Sequence, residues 1–319
     1  VEMEKGAVGI GWGKAILFGE HFVVYGFPGI AASIELNTTC KFVKANPGDG
    51  ITSNDLVSGE KIKYGQHKYK TLDRVIDAIL KQTKIEERNF KLDLETNMSL
   101  KGGMGSSAAL CVSITRCLSE QFSLKLSDEQ VNRISFEAEK VFHSNPSGID
   151  NTVSAYGGMI WFEKKQPINF IERMKSKPVE VVFADTGIFH NTAEIVAMVS
   201  HQKDADRKKY QRIFMDYKEI VYPARGLIEK GKWKEVGELM NKNQKLLEEI
   251  NVSNEANDLL VQTSLQNGAL GAKVTGAGLG GNVLALTPGQ KLQEQVAKAI
   301  EREGFTAYKI KIGVNKNAI

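Results

Sequence analysis

Residues 101–109 read KGGMGSSAA, with Gly102, Gly103 and Gly105 standing just before small residues that suit a helix. Glycine disfavours helices, so a chain that places it there needs backbone conformations or close approaches that a side chain forbids. Upstream, Phe90, Leu92 and Leu94 alternate with Lys91, Asp93 and Glu95, the period of a half-buried strand. Downstream, Leu110, Ile114, Cys117, Leu118 and Phe122 recur at helical spacing over 108–122. A strand, a glycine loop and a helix in that order present backbone N–H groups and a positive helix end to an anion. Ser106 and Ser107 then serve a phosphate oxygen or a Mg²⁺ carried with it, or a serine simply caps the helix in a tight turn.

Elsewhere the pattern is mixed. Residues 14–25 (KAILFGEHFVVY) read as two strands around a polar Gly19-Glu20-His21 turn. Ser127-Asp128-Glu129-Gln130 is a capping-box signature that predicts a helix running to about His143, where Asn145-Pro146-Ser147-Gly148 stops it. Gly157-Gly158 turns into a strand, MIWFE, and a charged stretch around Lys175–Pro178 precedes a new apolar run, which places a boundary near residue 178. Beyond it the spacing predicts helices over about 192–202, 205–230, 232–250 and 254–266 and strands near 270–275, 282–286 and 307–312. No repeat of 20–50 residues is evident. The expected class is α+β in two halves, 1–177 and 178–319.

With 319 residues the chain has room for a substantial core, and 42% hydrophobic with 25% charged residues describes a soluble globular protein. No apolar run reaches the roughly 18–20 residues that cross a bilayer, and the acidic start VEMEKGAVGIGWGK holds no cleavable apolar core. Cys40, Cys111 and Cys117 lack metal-ligand spacing, which predicts buried free thiols and a reducing, cytoplasmic setting. The net charge of +4 is well mixed, and basic groups such as Lys81–Lys84 and Arg207–Lys209 read as solvated faces. Neither nucleic acid nor a membrane is an expected partner; a small positive excess suits a phosphorylated ligand.

Familiar nucleotide motifs fail in detail. Gly13-Lys14 suggests a P-loop, but Ala15 stands where a hydroxyl should hold magnesium and Val8 where the first glycine should be. HRD and DFG triplets, the marks of a protein kinase, do not occur. Gly276-x-Gly278-x-Gly280 near the C-terminal end does not open a βαβ unit as a dinucleotide site requires.

Taken together, GKAILFGEHFVVYG (13–26), KGGMGSSAA (101–109) and KVTGAGLGGNVLAL (273–286) resemble the three signature motifs of the GHMP small-molecule kinases, in the family's order and across nearly the whole chain. GEHFVVYG, EKVFHSNPSGIDN (139–151) and HNTAEIV (190–196) are similar specifically to the branch whose acceptor is mevalonate. A galactose-phosphorylating member should carry an acidic residue shortly after GEH, where Phe22-Val23-Val24 stands here. Homoserine-phosphorylating members lack the GEH turn, and those acting on phosphomevalonate normally lack this PSGIDN form. Two positions depart from the pattern: Trp12 stands where the family usually has Pro, and Lys101 where it usually has Gly. Neither removes a group that phosphoryl transfer requires.

The resemblance implies an N-terminal ribosomal-protein-S5-like domain, a C-terminal ferredoxin-like domain and an active site between them. It implies transfer of the γ-phosphoryl of ATP to the C5 hydroxyl of mevalonate with Mg²⁺, and a homodimer is common in the family. Asp150 matches the catalytic aspartate, and Lys14 the lysine that contacts it and the transferring phosphoryl. Ser107 and Glu139 match metal contacts, while Lys101, Gly102, Gly103, Met104, Gly105, Ser106 and Ser107 form the phosphate loop. Glu20, His21 and Thr192 match positions lining the acceptor site, where His21 would bond a carboxylate or a hydroxyl. Gly276, Ala277, Gly278 and Gly280 shape the cleft, glycine being needed there because side chains would collide. A related alcohol, another hydroxyl of mevalonate, or a non-catalytic ligand sensor are the alternatives; joint retention of Lys14, Ser107, Glu139 and Asp150 argues against the last.

Overall fold

The computed structural model of the chain describes residues 6–54, 61–63, 70–98, 103–143, 146–166 and 168–315. In chain order the strands and helices are β1 (Val8–Phe18), β2 (Gly29–Lys44), β3 (Thr52–Asn54), β4 (Lys61–Lys63), α1 (Thr71–Thr83), β5 (Phe90–Thr96), α2 (Ser106–Gln121), α3 (Asp128–Glu139) and α4 (Ile149–Tyr156). They continue as β6 (Met159–Glu163), β7 (Phe170–Met174), β8 (Val179–Asp185), α5 (Thr192–Ala205), α6 (Arg207–Glu229), α7 (Trp233–Glu249), α8 (Glu255–Gln266), β9 (Gly271–Thr275), β10 (Asn282–Leu286), α9 (Gln290–Arg302) and β11 (Thr306–Ile312).

Contacts group the described residues into two units that interleave along the chain: those within 1–13, 36–100 and 104–156 in the first, those within 14–35, 103 and 157–315 in the second. The sequence divides the chain once, at 177/178. Contacts place 157–177 in the same unit as 14–35, and within it β6 pairs antiparallel with Gly29–Ala32 of β2 and with β7.

In the first unit, Thr38–Lys44 of β2 pairs antiparallel with β5, which β3 joins in parallel. The alternation read in 90–95 holds: Phe90, Leu92 and Leu94 are buried in a core shared with Val75, Ile76 and Ile79 of α1, Ile114 and Leu118 of α2 and Ile134 of α3. Helix α2 is buried on nearly every side, from Ala108 through Thr115. The glycine-rich start of β1 lies directly against it. A Cβ on Gly9 would stand 2.0 Å from Ser113 O, and one on Gly11 would stand 2.0 Å from Ala109 O. Arg116 of α2 then ties the layers together, donating to Ile10 O at 2.8 Å, to Ala155 O at the end of α4 and to Asp128 Oδ1 at 3.1 Å.

The second unit is built on antiparallel pairing of β11 with β8, β8 with β10 and β10 with β9. Its core joins Val182, Ala184, Val283 and Ala285 to Leu260 of α8 and Val296 and Ile300 of α9. The open edge of β9 is covered by α7, where Asn241 Oδ1 accepts from Ala272 N at 3.0 Å and Gln244 Oε1 from Val274 N at 2.8 Å. Gly237 and Gly271 let the two backbones meet, since a Cβ on Gly271 would lie 2.4 Å from Gly237 O. An edge strand whose N–H groups are taken by helix side chains cannot recruit another strand.

Four expectations are corrected or completed. Residues 22–25 form a 3₁₀ turn (Val23–Tyr25) rather than a strand, because Phe22 stacks on Tyr217 of α6 with ring centroids 3.9 Å apart. Helix α3 stops at Glu139, four residues before His143. Asp150 lies in the first turn of α4, a helix that the proline-glycine stop concealed. The amphipathic helices α1 and α9 and the strands β2, β3, β4 and β7 have no counterpart in the sequence reading.

Substituting Gly11 by Ala should push α2 off β1. A loss of at least about 1–3 kcal/mol is expected from forced overpacking, read as a lower urea midpoint. An unchanged midpoint would mean that α2 is free to step away from the strand.

Candidate active site

The glycine loop does what its composition promised. Gly103 and Gly105 take positive φ angles of 63° and 80°, and no heavy atom lies within 4 Å of a Cβ built on Gly103. Gly105 caps α2 without any side-chain hydrogen bond. The serines therefore stand inside the first turn and neither is the N-cap, so the N-cap residue supplies no side-chain acceptor to the first N–H groups of α2. Met104 is buried and anchors the loop. Lys101 and Gly102 fall outside the described residues.

Ser107 donates to Glu139 Oε1 at 2.7 Å. Glu139 comes from the last turn of α3, a helix started by the Ser127–Gln130 capping box seen in the sequence. It is only 1% exposed, although His143 Nε2 stands 3.6 Å from Oε1 at the surface. The helical Glu–His pair is thus present, but its carboxylate faces inward. Cys111 lies on the other side, with Sγ 3.9 Å from Glu139 Oε2, and burial together with that charge pushes its thiol well up.

Asp150 is half-buried in the first turn of α4, preceded by Gly148 at φ 87°. Asn132 of α3 holds this turn: its Oδ1 accepts from Asn151 Nδ2, and its Nδ2 donates to Thr152 Oγ1 at 3.2 Å. Thr152 in turn donates to Gly148 O. Ser107, Glu139 and Asp150 thus come from three successive helices of one unit, tied by Arg116 and Asn132.

The second unit brings the first and third motifs together through three ties. Thr275 Oγ1 donates to Ile16 O at 3.1 Å and accepts from Ile16 N at 3.2 Å. Lys273 Nζ forms an ion pair with Glu20 Oε1, both side chains fully buried, and donates to Val274 O at 2.7 Å. His21 Nε2 donates to Ala277 O at 2.7 Å, which makes Nε2–H the tautomer and leaves Nδ1 a buried acceptor without a partner. The His21 backbone takes φ 61°, the left-handed region that turns the chain into the 3₁₀ segment. Lys14, on the same β1 segment as Ile16, is 7% exposed.

Collision explains two of the three predicted glycines in the third motif. A Cβ on Gly278 would stand 2.1 Å from Val252 O, and one on Gly280 would stand 2.7 Å from Ile188 O. Gly276 has open space around it and is required by its φ of 95° instead. Asn257 clamps the loop by exchanging two hydrogen bonds with Gly280. Thr192 is exposed at the start of α5, where Asn191 caps the helix.

Burial dominates the electrostatics of this turn. It pushes the Glu20 carboxyl up, against the attraction of Lys273 and, more weakly, Lys14. It pushes Lys273 down, against Glu20. His21 is lowered by burial and further by Lys273, with the Ala277 bond opposing. Tyr217 is raised well above its ordinary range by burial, and the Glu20 charge adds to it.

Sequence reasoning missed Lys273, Asn132 and Arg116. Lys273 carried a usable signal, a lone cation within the apolar strand run that opens the third motif. Among the described residues no group of three or more His, Cys, Asp or Glu is placed to hold a metal, and no helix is long and apolar enough to cross a membrane.

Comparison with known proteins gives consistent results. The family described as GHMP kinases N terminal domain matches residues 70–158, and GHMP kinases C terminal matches residues 224–306. Mevalonate kinase of Thermococcus gammatolerans is 33% identical over 316 residues, covering 92% of each chain. The Arabidopsis thaliana mevalonate kinase is 29% identical over 373 residues, covering 95% of this chain and 96% of its own. Among solved structures, L. major mevalonate kinase in complex with R-mevalonate matches with a TM-score of 0.84 at 31% identity, over 96% of this chain and 95% of that one. Lactococcus lactis galactokinase complexed with galactose, with a TM-score of 0.74 at 18% identity over 97% and 94% of the two chains, shares the fold.

Because His21 is held below its ordinary 6.5, its neutral ring stabilises the fold fully above that pH. This contribution is lost as pH falls from 6.5 through the depressed folded value. Urea midpoints across that range should therefore fall more steeply for the wild type than for His21→Gln. Parallel curves would show that the ring titrates as it does in the unfolded chain.

Proposed function

The chain belongs to the GHMP kinase family, and we propose that it is a mevalonate kinase, transferring the γ-phosphoryl of ATP to the C5 hydroxyl of mevalonate to give 5-phosphomevalonate for isoprenoid biosynthesis. Family membership makes it an ATP-dependent small-molecule kinase. The choice of acceptor rests on one observation: the full-length likeness, in sequence and in fold, to mevalonate kinases, one of them in complex with R-mevalonate.

The residues support a division of labour. The uncapped N-terminus of α2, with Gly103, Gly105 and Ser106, receives the nucleotide phosphates on backbone N–H groups; Lys101 and Gly102 complete this assignment. Ser107 Oγ and the Glu139 carboxylate are hard oxygen donors already 2.7 Å apart, which suits Mg²⁺ shared with phosphates and water. When bound there, the ion neutralises charge on the transferring phosphates. Asp150 supplies the negative charge that draws the proton of the acceptor hydroxyl, and Lys14 the positive charge that the phosphoryl group meets as it transfers. His21 Nδ1, as a bare acceptor, suits a hydroxyl of the alcohol better than its carboxylate. Thr192 is assigned to the same acceptor, whereas Glu20 is engaged by Lys273 and acts from beneath the turn.

A coupled ADP-release assay with mevalonate, galactose, homoserine and phosphomevalonate tests the acceptor: mevalonate should give the highest kcat/KM, and preference for any other would refute the reading. Asp150→Asn should lower turnover by roughly 10²–10⁴-fold, about 3–5 kcal/mol in barrier, with ATP affinity little changed. Lys14→Met should lose a similar amount, and the double variant far less than the product of the two. Near-normal turnover of Asp150→Asn at saturating mevalonate would remove Asp150 from the chemistry.

Glu139→Gln should raise the Mg²⁺ concentration needed for half-maximal rate by roughly 10–100-fold, as loss of a metal-side carboxylate does elsewhere. An unchanged magnesium titration would leave Glu139 only as the partner of Ser107.

A further inference from the structure

Lys273 and Glu20 form an ion pair with no solvent exposure on either side chain. Such a pair is a poor device for stability, since well-packed neutral groups of similar volume often do as well or better. Its place in the chain suggests another use. The pair joins the same two motifs as two other ties, Ile16 with Thr275 and His21 with Ala277, and these are made by neutral groups. Among these three ties Lys273 contributes the one full charge from the third motif.

We propose that Lys273 is a positioning residue for the acceptor alcohol: its ammonium, paired with the buried Glu20 carboxylate, holds the turn in which His21 Nε2 is tied to Ala277 O, so that the turn offers His21 Nδ1 as an acceptor. The proposal rests on the mevalonate kinase reading and names a part of that site's machinery which touches neither substrate nor nucleotide. Among the described residues, the titratable groups that interact with the turn are Lys273, Lys14 and Tyr217. Glu20 is faced by Lys273 from β9 and Lys14 from β1, both of which favour its ionised form, and by the neutral phenol of Tyr217 from α6. Among the described residues Glu20 Oε2 has no hydrogen-bond partner, so Oε1 carries the side-chain contact, the one with Lys273 Nζ. His21 shares the turn, and the same ammonium opposes its protonation. Without Lys273, burial would protonate Glu20, and His21 would take a proton more readily on Nδ1, turning the acceptor into a donor.

Three variants test this: Lys273→Met, Lys273→Arg and the neutral pair Glu20→Gln/Lys273→Met. Histidine ring NMR titration is read on each without substrate, beside urea midpoints and the pH dependence of mevalonate kcat and KM. In Lys273→Met the His21 titration should move to higher pH, with the acid limb of kcat/KM following it and kcat falling on the order of 100-fold, as a misplaced positioning group produces. Lys273→Arg should keep the wild-type His21 titration. The neutral pair should regain the wild-type urea midpoint and still turn over slowly. Recovery of both stability and kcat in the neutral pair would reduce Lys273 to a structural role. A His21 titration unmoved in Lys273→Met, or shifted equally in Lys273→Arg, would overturn the charge-setting claim. Should the wild type prefer another alcohol, the mevalonate reading fails while the NMR result still decides this one.

Discussion

Helix α2 must be buried on almost every side and yet begin without a side-chain cap. Burial sets what can surround it: β1 can lie against it only because Gly9 and Gly11 carry no side chain, and the polar groups that α2 does bring inside are matched, Arg116 by Ile10, Asp128 and Ala155 and Thr115 by Ser135. With Gly105 as N-cap, no side chain of the N-cap residue takes up the N–H groups at that end of α2. Because α3 and α4 are both fastened to α2 or to each other through Arg116 and Asn132, the places of Glu139 and Asp150 follow from where α2 lies.

The second unit solves a different problem, fixing a turn and a loop that are far apart in the chain. Glycines 278 and 280 let the third-motif loop press against the backbone of Val252 and Ile188, closer than any side chain allows. Asn257 and Thr186 then take up the polar groups of that loop. The turn at Glu20 and His21 is backed by aromatic packing of Phe22 and Phe27 on Tyr217 and Phe214 of α6, with the Tyr217 hydroxyl donating to Pro28 O at 2.7 Å. Rigid apolar support beneath and neutral hydrogen bonds beside it leave the buried charges as the adjustable element.

Much of this was legible in the chain. The alternation of 90–95, the capping box at 127–130 and the long periodic helices after 190 depend on local spacing, and the structure reproduces them to within a few residues. What failed depended on distant partners. Residues 22–25 have strand-like composition, but stacking of Phe22 on Tyr217, nearly two hundred residues later, favours a 3₁₀ turn. Asp150 reads as following a helix stop, whereas Asn132 and the Thr152–Gly148 bond start a new helix there.

The sequence by itself determined the kinds of residue available: glycines before a helix, paired hydroxyls, a carboxylate after Pro-Ser-Gly, a lysine in an apolar strand. Motif order and spacing were enough to place those groups in a phosphoryl-transfer family, since each motif is a local stretch whose chemistry travels with it. Only the tertiary structure decided which charges face each other. Glu20 and Lys273 are 253 positions apart, and whether a carboxylate serves a ligand or a buried lysine depends on its neighbours in space. The same holds for Glu139, which stands four residues before His143 in the chain and whose inward partner Ser107, across two helices, was set by packing. Coulombic and desolvation energies fall off over a few ångströms, and no spacing in the chain records such distances.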